Sequence, residues 1–155
     1  KLFQGPEAIN AYAYFLKHEL GVLIWVARAG LLGVFVLHLA LAVRLKWRAR
    51  AARPEGYRYP GSVQATVASR TMIWTGVVVG LFVVFHLAHY TFGWVHGAEV
   101  TDPATGRKVW TNYLEMKDPL GHHDVYSMAV AGFLNPYIAA LYVAAQVVLF
   151  LHLRH

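Results

Sequence analysis

The stretch Thr71–Ala98, TMIWTGVVVGLFVVFHLAHYTFGWVHGA, runs for 28 residues without one Asp, Glu, Lys or Arg. A hydrocarbon core about 30 Å thick takes roughly 20 helical residues to cross, so this run is long enough to span a bilayer. A second run, Val125–Leu153, is charge-free for 29 residues. The composition around them agrees. Of the 155 residues 57% are apolar and 14% charged, about half the charged share of a soluble domain. Mean hydropathy is +0.41. The chain reads as an all-α transmembrane helical bundle. Soluble enzymes, nucleic-acid binders and disordered chains are excluded.

Working outward, spans are expected at about 20–45, 66–96 and 124–154, in a single domain over 1–155. The first carries one internal charge, Arg28. Asn135-Pro136 should kink the third, because proline removes a backbone donor. Ahead of the spans, Gly5–Lys17 (GPEAINAYAYFLK) reads as a short amphipathic helix with Pro6 in its first turn. The net charge of +6 is concentrated, since Arg44, Lys46, Arg48, Arg50, Arg53, Arg58 and Arg70 lie in one segment opposed only by Glu55. The 93–124 segment instead has Arg107, Lys108 and Lys117 against Glu99, Asp102, Glu115, Asp118 and Asp124. Positive charge is retained inside, so loop 46–65 is expected in the cytoplasm and loop 97–123, rich in turn signals, outside. There is no cysteine, hence no disulfide and no iron–sulfur cluster. With Lys at its first position and no signal peptide, the chain reads as a fragment of a longer protein.

The nine histidines carry the chemistry. His18, His96, His122 and His123 fall at interfaces or in loops, where solvated side chains are ordinary, although His122 and His123 are placed to handle protons near an outer site. His38, His86, His89 and His152 lie inside apolar runs. There, polar groups are costly and usually functional. No carboxylate lies inside a span, which disfavours a proton relay. Axial ligation of haem iron suits an imidazole in apolar surroundings; a hydrogen-bonded packing role is the alternative.

Depth sorts these residues at 1.5 Å per residue. His38 lies six residues before Arg44, about 9 Å from the cytoplasmic edge, and His152 lies toward the same edge, so the two can flank one inner porphyrin. His86, sixteen residues beyond Arg70, lies about 24 Å from that edge, at an outer level. His89 is three residues further on nearly the same face, suited to a propionate or quinone neighbour. Arg28 and Asn135 reach the outer level too. Arg28 suits a haem propionate, with snorkelling to the interface as the alternative. A quinone site is expected among Arg28, His89, Asn135 and Trp25. Gly30 and Gly33 before His38, Gly76 and Gly80 before His86, and Ala144 and Ala145 before His152 leave room for a flat macrocycle or for helix packing.

The segments Gly5–Tyr12 (GPEAINAY), Ala68–Gly76 (ASRTMIWTG), His86–Gly93 (HLAHYTFG), Asp124–Met128 (DVYSM), Gly132–Pro136 (GFLNP) and His152–His155 (HLRH) together resemble the cytochrome b membrane anchor of succinate dehydrogenase and fumarate reductase. The resemblance is to the single-subunit type with five helices and two b haems, and it covers nearly the whole chain. It implies that His38, His86 and His152 are haem ligands from the second, third and fourth helices, with His86 rather than His89 as the outer one. The first-helix ligand and the fifth helix of that family have no counterpart here. It further implies electron transfer between a flavoprotein and iron–sulfur subunit pair on the cytoplasmic face and quinone, of the menaquinone type, in a bacterial-type cytoplasmic (inner) membrane. The resulting cofactor-binding set is His38, His86, His152, Arg28, Arg70, His89 and Asn135, with haem b and quinone as cofactors. Succinate chemistry would belong to the partner chains. A dihaem anchor of another respiratory reductase or hydrogenase, and a haem-free membrane scaffold, are the competing readings.

Overall fold

A computed structural model describes residues 4–53, 55, 66–95, 97–102 and 104–154. Helix accounts for 73% of the described residues, and five α-helices lie among them. They are α1 (Pro6–His18), α2 (Gly21–Ala51), α3 (Val67–His86), α4 (Val125–Leu134) and α5 (Pro136–Leu153), with a two-stranded hairpin, β1 (Gly97–Thr101) and β2 (Lys108–Asn112), between α3 and α4. Three stretches, Gly21–Ala51, Ser69–Thr91 and Pro136–Leu153, are long and apolar enough to cross a membrane. The chain divides into two compact units, residues 15–64 and residues 1–14 with 65–155.

The first of these units is essentially α2, and no residue of that helix is buried within it. Val22, Trp25, Leu31 and Val34 are all more than three-fifths exposed. Such an apolar surface on every side suits lipid or further helices rather than water. The helix overruns the expected end at Leu45 and continues to Ala51. The reason is local, since Lys46, Trp47, Arg48, Ala49 and Arg50 all tolerate helix and the first breaker in the sequence is Pro54. Arg58 and most of loop 46–65 lie outside the described residues.

In the second unit α3 opens on Thr66, whose hydroxyl accepts a hydrogen bond from the Ser69 N–H at 3.1 Å. Its far end widens into one π-helical turn, Leu87–Thr91, and the expected span to residue 96 stops there. The expected kink at Asn135-Pro136 is a full break. Asn135 adopts an extended backbone (φ −77°, ψ 114°), with α4 ending before it and α5 starting after it. The Pro136 ring disfavours helical geometry at the preceding residue, and the Asn135 side chain caps the new helix by accepting from the Tyr137 and Ile138 N–H groups at 3.0 and 3.3 Å. Helices α3 and α5 pack antiparallel, Thr75 meeting His152 at one end and His86 meeting Tyr142 further along.

The segment between α3 and α4 is more ordered than its turn signals suggested. Strands β1 and β2 pair antiparallel with Gly97 opposite Asn112 and Thr101 opposite Lys108. Asp102 closes the turn by accepting from the Ala104 N–H and the Thr105 hydroxyl. Residues 1–14 are tied back to this side of the unit through Asn10, which is 2% exposed. Its amide donates to Asp124 Oδ1 at 3.0 Å and its oxygen accepts from the Tyr126 N–H at 3.0 Å. Asp124 Oδ1 also caps α4 by accepting from the Ser127 N–H.

Candidate functional site

Two histidine clusters lie along the α3–α5 pair. The outer one forms where α3 passes into its π turn. His86 and His89 are three residues apart, and both Nδ1 atoms reach one hydroxyl, that of Tyr142 on α5, at 3.2 and 3.1 Å. Their surroundings differ. His86 is exposed, whereas His89 is fully buried, stacked on Tyr90 at 4.0 Å between ring centroids. Gly132 of α4 makes this packing possible. A Cβ there would come within 2.5 Å of Tyr90 Oη and 3.3 Å of His89 Cε1. The buried Tyr90 hydroxyl has no hydrogen-bond partner among the described residues. Single π turns inside α-helices recur at functional sites.

The Tyr142 hydroxyl has one proton. With both bonds made and both rings neutral, it either accepts from one Nδ1–H and donates to the other Nδ1, or accepts from both. In each case at least one histidine carries its proton on Nδ1 and keeps a lone pair on Nε2.

The inner cluster is His152 with Thr75 and Gly76. Thr75 Oγ1 lies 2.9 Å from the Met72 carbonyl, 3.2 Å from the Thr71 carbonyl and 3.1 Å from His152 Nδ1. Its single proton serves a helix carbonyl, so the oxygen accepts from the imidazole, and His152 is assigned the Nδ1–H tautomer. Gly76 gives the ring its place, since a Cβ there would lie 3.2 Å from His152 Cε1. Of the small residues expected to border a macrocycle, Gly76 thus packs against an imidazole, while Gly30, Gly33 and Gly80 have nothing within 4 Å of a Cβ. Thr75 and His86 are eleven residues apart and Tyr142 and His152 ten, so the two clusters are separated along the helices by about 15 Å.

The chemistry both clusters offer is imidazole ligation with the ring held from behind. A histidine that binds a metal through one nitrogen almost always donates its other N–H to a fixed acceptor, which sets the tautomer and raises ligand basicity. Thr75 and Tyr142 are placed as such acceptors, so the donor set fits a haem iron. It does not fit a metal ion held in a cage of side chains, as no group of three or more His, Asp or Glu suited to one lies among the described residues.

No family model, curated protein or solved structure matches the chain.

The remaining expected site residues are placed as follows. His38 is exposed on α2, in the other unit. Arg28, on the same helix, lies over the Trp25 ring at 5.1 Å. Arg70 is exposed in the first turn of α3. The Asn135 side-chain oxygen is engaged as the cap of α5. In the outer loop His122 Nδ1 faces Asp118 Oδ2 at 3.6 Å and its ring lies 4.4 Å from that of Tyr14, while His123 Nε2 meets the Tyr113 carbonyl at 2.9 Å. His96 lies outside the described residues. Burial tends to raise the Asp124 carboxyl, but hydrogen bonds from Ser127 and Asn10 and the nearby His123 outweigh it and hold the group below the usual carboxylate range.

Sequence reasoning missed Tyr142, Thr75, Tyr90 and Asn10. Tyr142 and Thr75 carried a signal, because a hydroxyl inside an apolar run needs a partner and the histidines were the polar groups at matching depth.

Proposed function

We propose that this chain is a haem b-binding, electron-transferring membrane anchor of a succinate dehydrogenase or fumarate reductase complex. The observation that carries the reading is the repeated arrangement on the α3–α5 pair, in which an imidazole is held at Nδ1 by a hydroxyl of the neighbouring helix at two levels about 15 Å apart. On this reading His152 holds the inner haem and His86 the outer one. Haem, when bound, would supply one-electron transfer. The protein's own part is to orient the ligand rings by accepting their Nδ1–H hydrogen bonds at Thr75 and Tyr142.

The fully buried His89 stands behind His86 as a packing and hydrogen-bonding neighbour, which leaves Arg28 and Trp25 as the quinone-site residues to be tried first. The cytoplasmic flavoprotein and iron–sulfur subunits, the menaquinone-type acceptor and the inner-membrane location rest on the family resemblance. Two measurements test the reading. Dithionite-reduced membranes should give the α-band of b-type haem, and the subunits that co-purify should include a flavoprotein and an iron–sulfur protein. Membranes without a haem band would leave a haem-free scaffold, with the histidines serving as hydrogen-bonded packing residues. A haem band with other co-purifying subunits would place the chain in a different respiratory reductase.

A further inference from the structure

We infer that Tyr142 is a positioning residue for the outer ligand: its hydroxyl accepts the Nδ1–H of His86 and so leaves the Nε2 lone pair of that exposed imidazole for iron. The inference rests on the haem-anchor reading and adds to it a residue outside the ligand set. The ring of Tyr142 is 8% exposed and fixed by edge-on contacts with Phe82 at 5.1 Å and Phe133 at 5.0 Å. Its hydroxyl is thereby kept between two Nδ1 atoms at nearly equal distance, 3.2 Å from His86 and 3.1 Å from His89.

With one ring donating and the other accepting, that oxygen permits two arrangements. In the first, His86 donates its Nδ1–H to Tyr142, Tyr142 donates to His89 Nδ1, and the lone pair of His86 is on Nε2. In the second, every bond is reversed and the Nε2 lone pair belongs to His89. If the oxygen accepts from both rings, His86 again presents Nε2. The second does not serve a planar macrocycle, because His86 is exposed whereas His89 is fully buried, packed so closely on α4 that a Cβ at Gly132 would lie 3.3 Å from its Cε1. The pair therefore supplies one iron ligand, not two. A strong acceptor behind a ligating imidazole raises its basicity, which favours ferric iron and lowers the midpoint potential. Loss of that acceptor should raise the potential.

The test is a redox titration of the α-band, with low-temperature electron paramagnetic resonance, on the whole membrane complex carrying Tyr142→Phe or 3,5-difluorotyrosine at position 142. The fluorinated ring keeps the shape of tyrosine and has a weaker acceptor oxygen, so it decides the matter should Tyr142→Phe fail to accumulate. The expected result is an upward shift of the outer component's midpoint and a change in its resonance signal, with the inner component unmoved. An outer component with an unmoved or lowered midpoint overturns the role of Tyr142 while leaving the haem reading in place. Wild-type complex without haem overturns both.

Discussion

Gly132 and Tyr90 are in close contact beside the buried His89. A methyl group at position 132 would sit 2.5 Å from Tyr90 Oη, so α4 or the Tyr90 ring must move to admit it. Overpacking of this kind costs about 1–3 kcal/mol, and Gly132→Ala should lower the thermal midpoint of the purified protein accordingly. Tyr90→Phe should by itself be nearly neutral, because the hydroxyl it removes is buried without a hydrogen-bond partner among the described residues. In the double variant the clash is relieved, and the midpoint should recover toward that of Tyr90→Phe alone. Additive losses would mean that the methyl group meets something other than the hydroxyl. The histidines were legible in the sequence because imidazoles in charge-free runs stand out, and their depths could be counted from the basic ends. Their partners were not. Whether Thr75 and Tyr142 face a histidine or lipid depends on the rotation of α3 against α5, which spacing along one helix does not contain.

At the scale of elements, the clamp between α1 and α4 has the clearest consequence. Asn10 ties the Asp124 cap and the Tyr126 N–H to the first helix. Asn10→Ala leaves a buried acceptor and donor without their partner, a loss of about 1–3 kcal/mol. It should raise hydrogen exchange in α1 and in the first turn of α4 while leaving α5 protected. The same clamp should weaken with acid. The folded-state Asp124 pKa lies below its ordinary value, so its contribution is complete above about pH 4 and is lost as pH falls through the lower folded value. Exchange in α1 should rise below about pH 4 in wild type and show no such added rise in Asp124→Asn. The spans were readable from the length of their apolar, nearly charge-free runs. Asn135-Pro136 marked a kink but not its extent, and the π turn at Leu87–Thr91 and the β1–β2 hairpin were not legible, because each is set by packing and local hydrogen bonds rather than by hydrophobic period.

For the whole molecule, three membrane-length helices make the protein multi-pass, and charge asymmetry predicts its orientation. Labelling of a cysteine placed at residue 50 should succeed only from the cytoplasmic side, and labelling at residue 105 only from outside; the reverse pattern would invert every depth given above. The decisive prediction concerns the two levels. His86 and His152 lie near opposite ends of the α3–α5 pair, each bonded to a different hydroxyl. If each ligates iron, their replacements must remove different components of the α-band titration. His86→Ala should abolish or convert the component affected by Tyr142→Phe, and His152→Ala should abolish the other. By the depth of its position in the sequence, His38→Ala is expected to join His152→Ala. Thr75→Val, which removes the acceptor of the His152 Nδ1–H while retaining shape, should raise the midpoint of the His152 component alone. A common component lost in both His86→Ala and His152→Ala would mean a single haem, which helices holding these residues about 15 Å apart could not share through direct ligation. An unchanged spectrum in both would make the hydroxyl contacts their whole purpose, as packing bonds between two helices.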